Sequence, residues 1–167
     1  MAAPSHDRVK INFDGSVRSN SAAGDFIIRI ETGKSLVAAS FNSGTTTVPV
    51  AEALALLNSL VYAKEQGFSK IEVEGNSKLV IDAVNGVLTP PWKLLKLIHD
   101  IKFLSNSSEF VCFQHVFRET NFVANVLANL GHMLSNLHCW EECIPSETSS
   151  VLAFDIVNLG CIGGTSI

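Results

Sequence analysis

Three segments with the two-residue period of a β-strand stand in succession before the first helical stretch, and no other feature constrains the fold as tightly. Val9, Ile11 and Phe13 alternate with Lys10, Asn12 and Asp14, and Gly15 is expected to close this first strand. Asp25 to Glu31 and Ser35 to Phe41 are the second and third, joined through Thr32-Gly33-Lys34 as a hairpin. From Pro49 the pattern changes to helix formers with a stripe at Leu54, Leu57 and Val61, stopping at Gly67. Ile71 and Val73 then mark a short strand, and Ser77 to Val84 a helix ended by Asn85-Gly86. Leu94, Ile98 and Ile101 predict another amphipathic helix that fades at Ser105 to Ser108. Glu109 to Phe117 predicts a strand, and Asn121 to Leu130 a last helix with Val123, Leu127 and Leu130 on one face. Beyond His132 the pattern weakens.

Strands first, then strands and helices in alternation, require at least one β-α-β crossover. The expected architecture is therefore α/β: a mixed five-stranded sheet, three antiparallel strands followed by parallel ones, with helices on both faces. A single domain over residues 9–145 suffices, preceded by an arm at 1–8 and followed by an extension at 146–167. With 47% hydrophobic and 17% charged residues, the chain can offset ordering entropy by burial. No apolar run reaches the ~18 residues of a membrane span, and residues 1–10 lack a signal-peptide core. The four cysteines lack the density of a disulfide framework, so an intracellular setting, cytoplasmic or nuclear, is expected.

A net charge of −4 argues against a strong sequence-independent grip on phosphate. Binding to nucleic acid must then be weak or local. Lys93, Lys96 and Lys102 form the one modest basic patch; at helical spacing they line a face, as solvated lysines commonly do. His115 shares strand parity with Val111, Phe113 and Phe117, and is expected to be packed and hydrogen-bonded. His132, His138, Cys139 and Cys143 do not have the spacing of a zinc finger.

Functional side chains in α/β sheets collect where strands end. Asp14 ends the first strand, Glu52 falls in the first turn of the long helix, and Asn76 follows the fourth strand. Each has an ordinary explanation as turn former, dipole partner or helix cap. The stretches KINFDGS, VAEALALLNSLVYAKEQGF, KIEVEGNSKLVIDAVNG and HVFRETNFVANVLANLGH, in this order, resemble the ribonuclease H-like domains common in plant genomes as relatives of retrotransposon polyproteins. The resemblance runs from about Lys10 to His132, and CWEECIPS and the Asp155 region extend it.

The resemblance implies a ribonuclease H-like fold and cleavage of RNA in an RNA–DNA hybrid by two divalent ions on four carboxylates. Its pattern places these at Asp14, Glu52, position 76 and position 125. Here the family's EGD reads Glu74-Gly75-Asn76 and its VAD reads Val123-Ala124-Asn125, so two of the four acids are Asn. Two Mg²⁺ ions about 4 Å apart repel strongly, and carboxylates with the substrate phosphate must offset this. At most one weak Mg²⁺ or Mn²⁺ site is expected in the free protein. A loss of ~3 kcal/mol of transition-state stabilisation per replacement would lower activity about 10⁴-fold.

The family's glycine-rich turn after the first strand is replaced by Ser19-Asn20-Ser21-Ala22-Ala23, which puts close backbone approach to RNA in doubt. Asn20 is the candidate for a ribose hydroxyl, and Arg18, Ser77 and Lys78 are further candidate nucleic-acid contacts. Three functional readings follow: an impaired ribonuclease H-like enzyme, a non-catalytic module that binds RNA–DNA hybrid or another nucleic acid weakly, and a protein-interaction module derived from the enzyme. None involves a membrane.

Overall fold

The computed structural model describes residues 7–117, 132 and 137–141. Its elements are β1 (Val9–Arg18), β2 (Ser21–Arg29), β3 (Ser35–Gly44), α1 (Val48–Glu65), β4 (Lys70–Gly75), α2 (Lys78–Val84), α3 (Leu95–Asn106), β5 (Phe110–His115) and β6 (His138–Glu141). The predicted helix from Asn121 to Leu130, and Asn125 with it, lies outside the described residues. No described helix is long and apolar enough to cross a membrane.

The sheet is mixed and has six strands, in the order β5-β4-β1-β2-β3-β6, where five were expected. β1, β2 and β3 form an antiparallel meander, and β4 and β5 add to β1 in parallel. The extra strand is β6, antiparallel to β3 from Val37↔Glu141 to Ser40↔His138. Four residues with a histidine, a cysteine and a tryptophan carry too little alternation to announce a strand, and β3 supplies the template that makes them one.

Two hairpin details shift the predicted boundaries. β1 does not stop at Gly15 but runs on to Arg18, because β2 starts at Ser21 and pairs along its whole length. Ser19 and Asn20 make the connection with φ of 44° and 65°, the two left-handed residues of a tight type I′ turn. Asn tolerates that region; Ser occupies it at some cost.

Side-chain alternation sorts the sheet into two faces. Ile11, Phe13, Phe26, Ile28, Val37 and Val73 belong to the main core with α1 and Ile98 and Ile101 of α3. All three described helices therefore lie on this face. α1 buries Ala51, Glu52, Ala53, Ala55, Leu56, Ser59, Leu60 and Ala63. Four of these eight are alanines and two are Leu56 and Leu60, so the predicted stripe is displaced: Leu54 and Leu57 are half-buried and Val61 is exposed. The alanines let the helix axis approach the strands, while Leu56 and Leu60 are the large side chains it buries in the core.

The opposite face carries Lys10, Asn12, Asp14, Asp25, Arg29, Ser40 and Glu74, all buried. Lys10 Nζ donates to Glu74 Oε1 at 2.6 Å, and Asn12 Nδ2 to Glu74 Oε2 at 3.2 Å. A buried carboxylate so engaged avoids most of its desolvation cost. At the sheet's far end, His115 is exposed rather than packed in the core, edge-on to Phe117 at 5.8 Å.

Candidate active site and its relatives

Asp14 reaches the pocket because β1 continues past it, so its carboxyl stands on the strand rather than in a turn. Glu52 approaches from α1, one position beyond the first turn where it was expected. Gly15 makes their meeting sterically allowed. A Cβ there would fall on the backbone nitrogen of Glu52 and within 2.7 Å of the Ala51 carbonyl carbon. Backbone atoms cannot turn aside as a side chain can, so α1 rests on bare backbone at this point.

Asp14, Gly15, Ser16, Val17, Val48, Glu52 and Asn76 line one pocket of about 250 Å³. Asp14 is 3% and Glu52 8% exposed, so both carboxyls are largely out of bulk water. Ser77 donates its hydroxyl to Glu52 Oε2 from the start of α2 and is itself buried. Asn76, just past β4, has a buried side-chain oxygen without a hydrogen-bond partner. Two carboxyls and an orphaned amide oxygen among the side chains of one pocket are oxygen donors of the kind hard divalent cations take. The residues present therefore fit a Mg²⁺-like ion, although among the described residues no three of His, Cys, Asp and Glu converge to hold a metal.

The other candidates divide. Arg18 and Asn20 are exposed at the β1–β2 turn. Lys78 is 72% exposed and bridges to Asp82 at 2.9 Å, within α2. Glu74 is tied to Lys10 and Asn12 and is not among the residues that line the pocket. Asn125 lies outside the described residues.

Two side chains near the site were not foreseen. Asp25 is the cross-strand partner of Asp14, fully buried, with no hydrogen-bond partner on either oxygen. Burial, and then the charge of Asp14, hold its carboxyl well above the usual carboxylate range. The turn gives the register away, since Arg18 opposite Ser21 forces Asp14 opposite Asp25. The second is His132, whose Nε2 lies 2.9 Å from Ser16 Oγ on the pocket wall. Burial, then the Arg18 charge, keep this imidazole below the usual histidine range, favouring the neutral ring.

The reverse transcriptase-like family matches residues 12–131, most of the chain and all of the elements that build this pocket. The chain belongs to that family and is a ribonuclease H-like domain. An Arabidopsis thaliana protein carried under a ribonuclease H name is 29% identical over 150 residues, covering 88% of this chain. The chain spans only 24% of that relative's length. Ribonuclease H1 of the archaeon Halobacterium salinarum superposes with a TM-score of 0.71 at 30% identity, covering 74% of this chain and 96% of its own. A compost-metagenome ribonuclease H1, solved in complex with an RNA/DNA hybrid, gives 0.70 at 28%, covering 75% of this chain and 96% of its own. The match confirms the ribonuclease H-like fold expected from the four motifs.

Proposed function

We propose that this ribonuclease H-like domain engages RNA–DNA hybrid at the Asp14–Glu52–Asn76 pocket, holds at most one weak Mg²⁺ or Mn²⁺ ion there, and cleaves RNA poorly or not at all. The observation that carries this reading is the pocket itself: two buried carboxyls and a neutral amide line it together, the amide at the position where the family pattern has an acid. Similarity to a ribonuclease H1 solved with an RNA/DNA hybrid supports the class of ligand.

Asp14 and Glu52 would hold the ion, with the Asn76 carbonyl as a third, uncharged ligand. Ser77 fixes the Glu52 carboxylate through its hydroxyl, which holds that side chain in place on the pocket wall. Divalent ions in such a site lower the pKa of bound water and neutralise charge on the transferring phosphate. With Asn at 76 and 125 the site lacks two negative charges, and neither amide can replace the electrostatic attraction lost. Glu74 offers no rescue, being committed to Lys10 and Asn12. Arg18 and Asn20 at the hairpin tip are the proposed hybrid contacts, Arg18 to phosphate and Asn20 to a ribose hydroxyl. An intracellular setting, cytoplasmic or nuclear, is part of the same reading and rests on the sparse cysteines of the sequence.

The test is restoration of charge. Asn76→Asp with Asn125→Asp should raise cleavage of a labelled RNA–DNA hybrid by up to about 10⁴-fold in Mg²⁺, while either change alone stays near background. A folded double variant that binds two ions by calorimetry yet cleaves nothing would place the defect in substrate access at Ser19 to Ala23. One that also fails to bind hybrid would remove nucleic acid from the reading altogether.

A further inference from the structure

The outer face of α3 takes no part in the pocket. Inwardly this helix buries Ile98 and Ile101, with Leu97 and Leu104 half-buried against the same core. Outwardly, Lys96 and His99 have side chains 85% and 80% exposed, and Phe103 is 67% exposed. These three stand at helical spacing on one side, and Leu95 and Lys102 flank them. Trp92, just before the helix, is 77% exposed with Lys93 Nζ 5.5 Å from its ring centroid.

The face thus pairs two bare aromatic rings with Lys93, Lys96, Lys102 and His99, in a chain whose net charge is −4. The one acid on the helix, Asp100, is half-buried and turned to Lys96 at 2.8 Å and His99 at 3.5 Å. The Lys96 hydrogen bond holds its carboxyl below the usual range.

Single exposed rings are common, but two large ones with three lysines and a histidine between and beside them make a patch suited to binding. Rings interleaved with cations offer single-stranded nucleic acid its two requirements, a stacking surface for bases and positive charge for phosphates. Trp92 precedes the helix and Phe103 lies about 12 Å along it from Leu95, room for a few unstacked nucleotides. A partner helix would instead have to run along a seam whose middle holds cations, each needing its own acid if desolvated. We propose that the α3 face, from Trp92 to Phe103, is a second nucleic-acid surface that binds single-stranded RNA or DNA by stacking and phosphate pairing, apart from the Asp14–Glu52 pocket.

The proposal shares with the pocket reading only the class of ligand, and the experiment separates them. A fluorescein-labelled 12-nucleotide oligouridylate is titrated at several salt concentrations, and intrinsic fluorescence is followed in a Trp140→Phe background, where Trp92 is the remaining tryptophan. Binding should quench Trp92. Trp92→Ala should weaken it about tenfold, and Lys96→Glu with Lys102→Glu should weaken it further and flatten the salt dependence. Circular dichroism checks that these surface variants fold. Binding that Trp92→Ala leaves unchanged, or that Asp14→Ala abolishes, would assign the oligonucleotide to the pocket and overturn the proposal. Equal competition by an oligoglutamate peptide would overturn it in favour of an acidic protein partner.

Discussion

Asp25 lies between β1 and β3 with both carboxylate oxygens out of water and unbonded, beside the carboxyl of Asp14. A raised pKa means that the folded state keeps a proton which the unfolded chain gives up near the ordinary carboxylate value. Its contribution to stability is therefore full below that ordinary value and is lost as pH rises through the raised one. Urea unfolding of the protein and of Asp25→Asn across pH 4 to 8 should show the variant gaining relative stability as pH rises; parallel curves would contradict it. The sequence did hold this information. The hairpin tip fixes the pairing, but Asp25 at the expected edge of a strand looked like a boundary, not an interior residue. That Asp14 and Glu52 would come together was legible because the family motif agreed with their places at a strand end and near a helix start. Burial and missing partners are tertiary properties that no local pattern encodes, so the orphaned Asn76 oxygen and the Ser16–His132 contact were not legible.

Among elements, α1 and β1 are the pair on which the pocket depends. Gly15→Ala would place a methyl against the backbone of Ala51 and Glu52, so the helix must lift or the strand bend. Destabilisation of about 3 kcal/mol is expected, together with loss of whatever affinity Asp14 and Glu52 jointly have for Mg²⁺. Thermal unfolding and calorimetric titration of the same variant check both. The periodic signals located every described helix and five of the six strands to within a few residues. They failed where another element decides the outcome. Gly15 looked like a strand end because glycine usually punctuates, whereas here it admits a helix. The α1 stripe was misplaced because half of its buried face is alanine, which marks a face less strongly than the leucines on either side, while Leu56 and Leu60 are the large residues that point inward. β6 exists because β3 offers it an edge.

Over the whole molecule, fold class came from element order and family resemblance acting together, while charge sets the scale of binding. The proposed contact of this domain, of net charge −4, with hybrid through the hairpin tip predicts a shallow dependence of log K on log salt. Arg18→Ala should reduce that slope by about one, as expected for one lost phosphate contact. Lys78→Ala should change it less, since Asp82 already holds that ammonium at 2.9 Å. Fluorescence anisotropy across a salt series distinguishes the two; equal slopes for all three proteins would leave Arg18 without a phosphate.

The pairing of β6 with β3 also sets a timetable for a chain made from its N-terminus. β3 is complete at Gly44, but the strand that covers its outer edge ends only at Glu141. At ~5–20 residues per second, the ribosome leaves that edge without its eventual neighbour for roughly 5–20 s. During this interval the backbone groups of Val37 to Ser40 are open to any extended segment nearby, including the same strand of another nascent chain. Crowded translation of one message would therefore favour edge-to-edge association of unfinished molecules, a hazard that ends for each chain once its own β6 arrives.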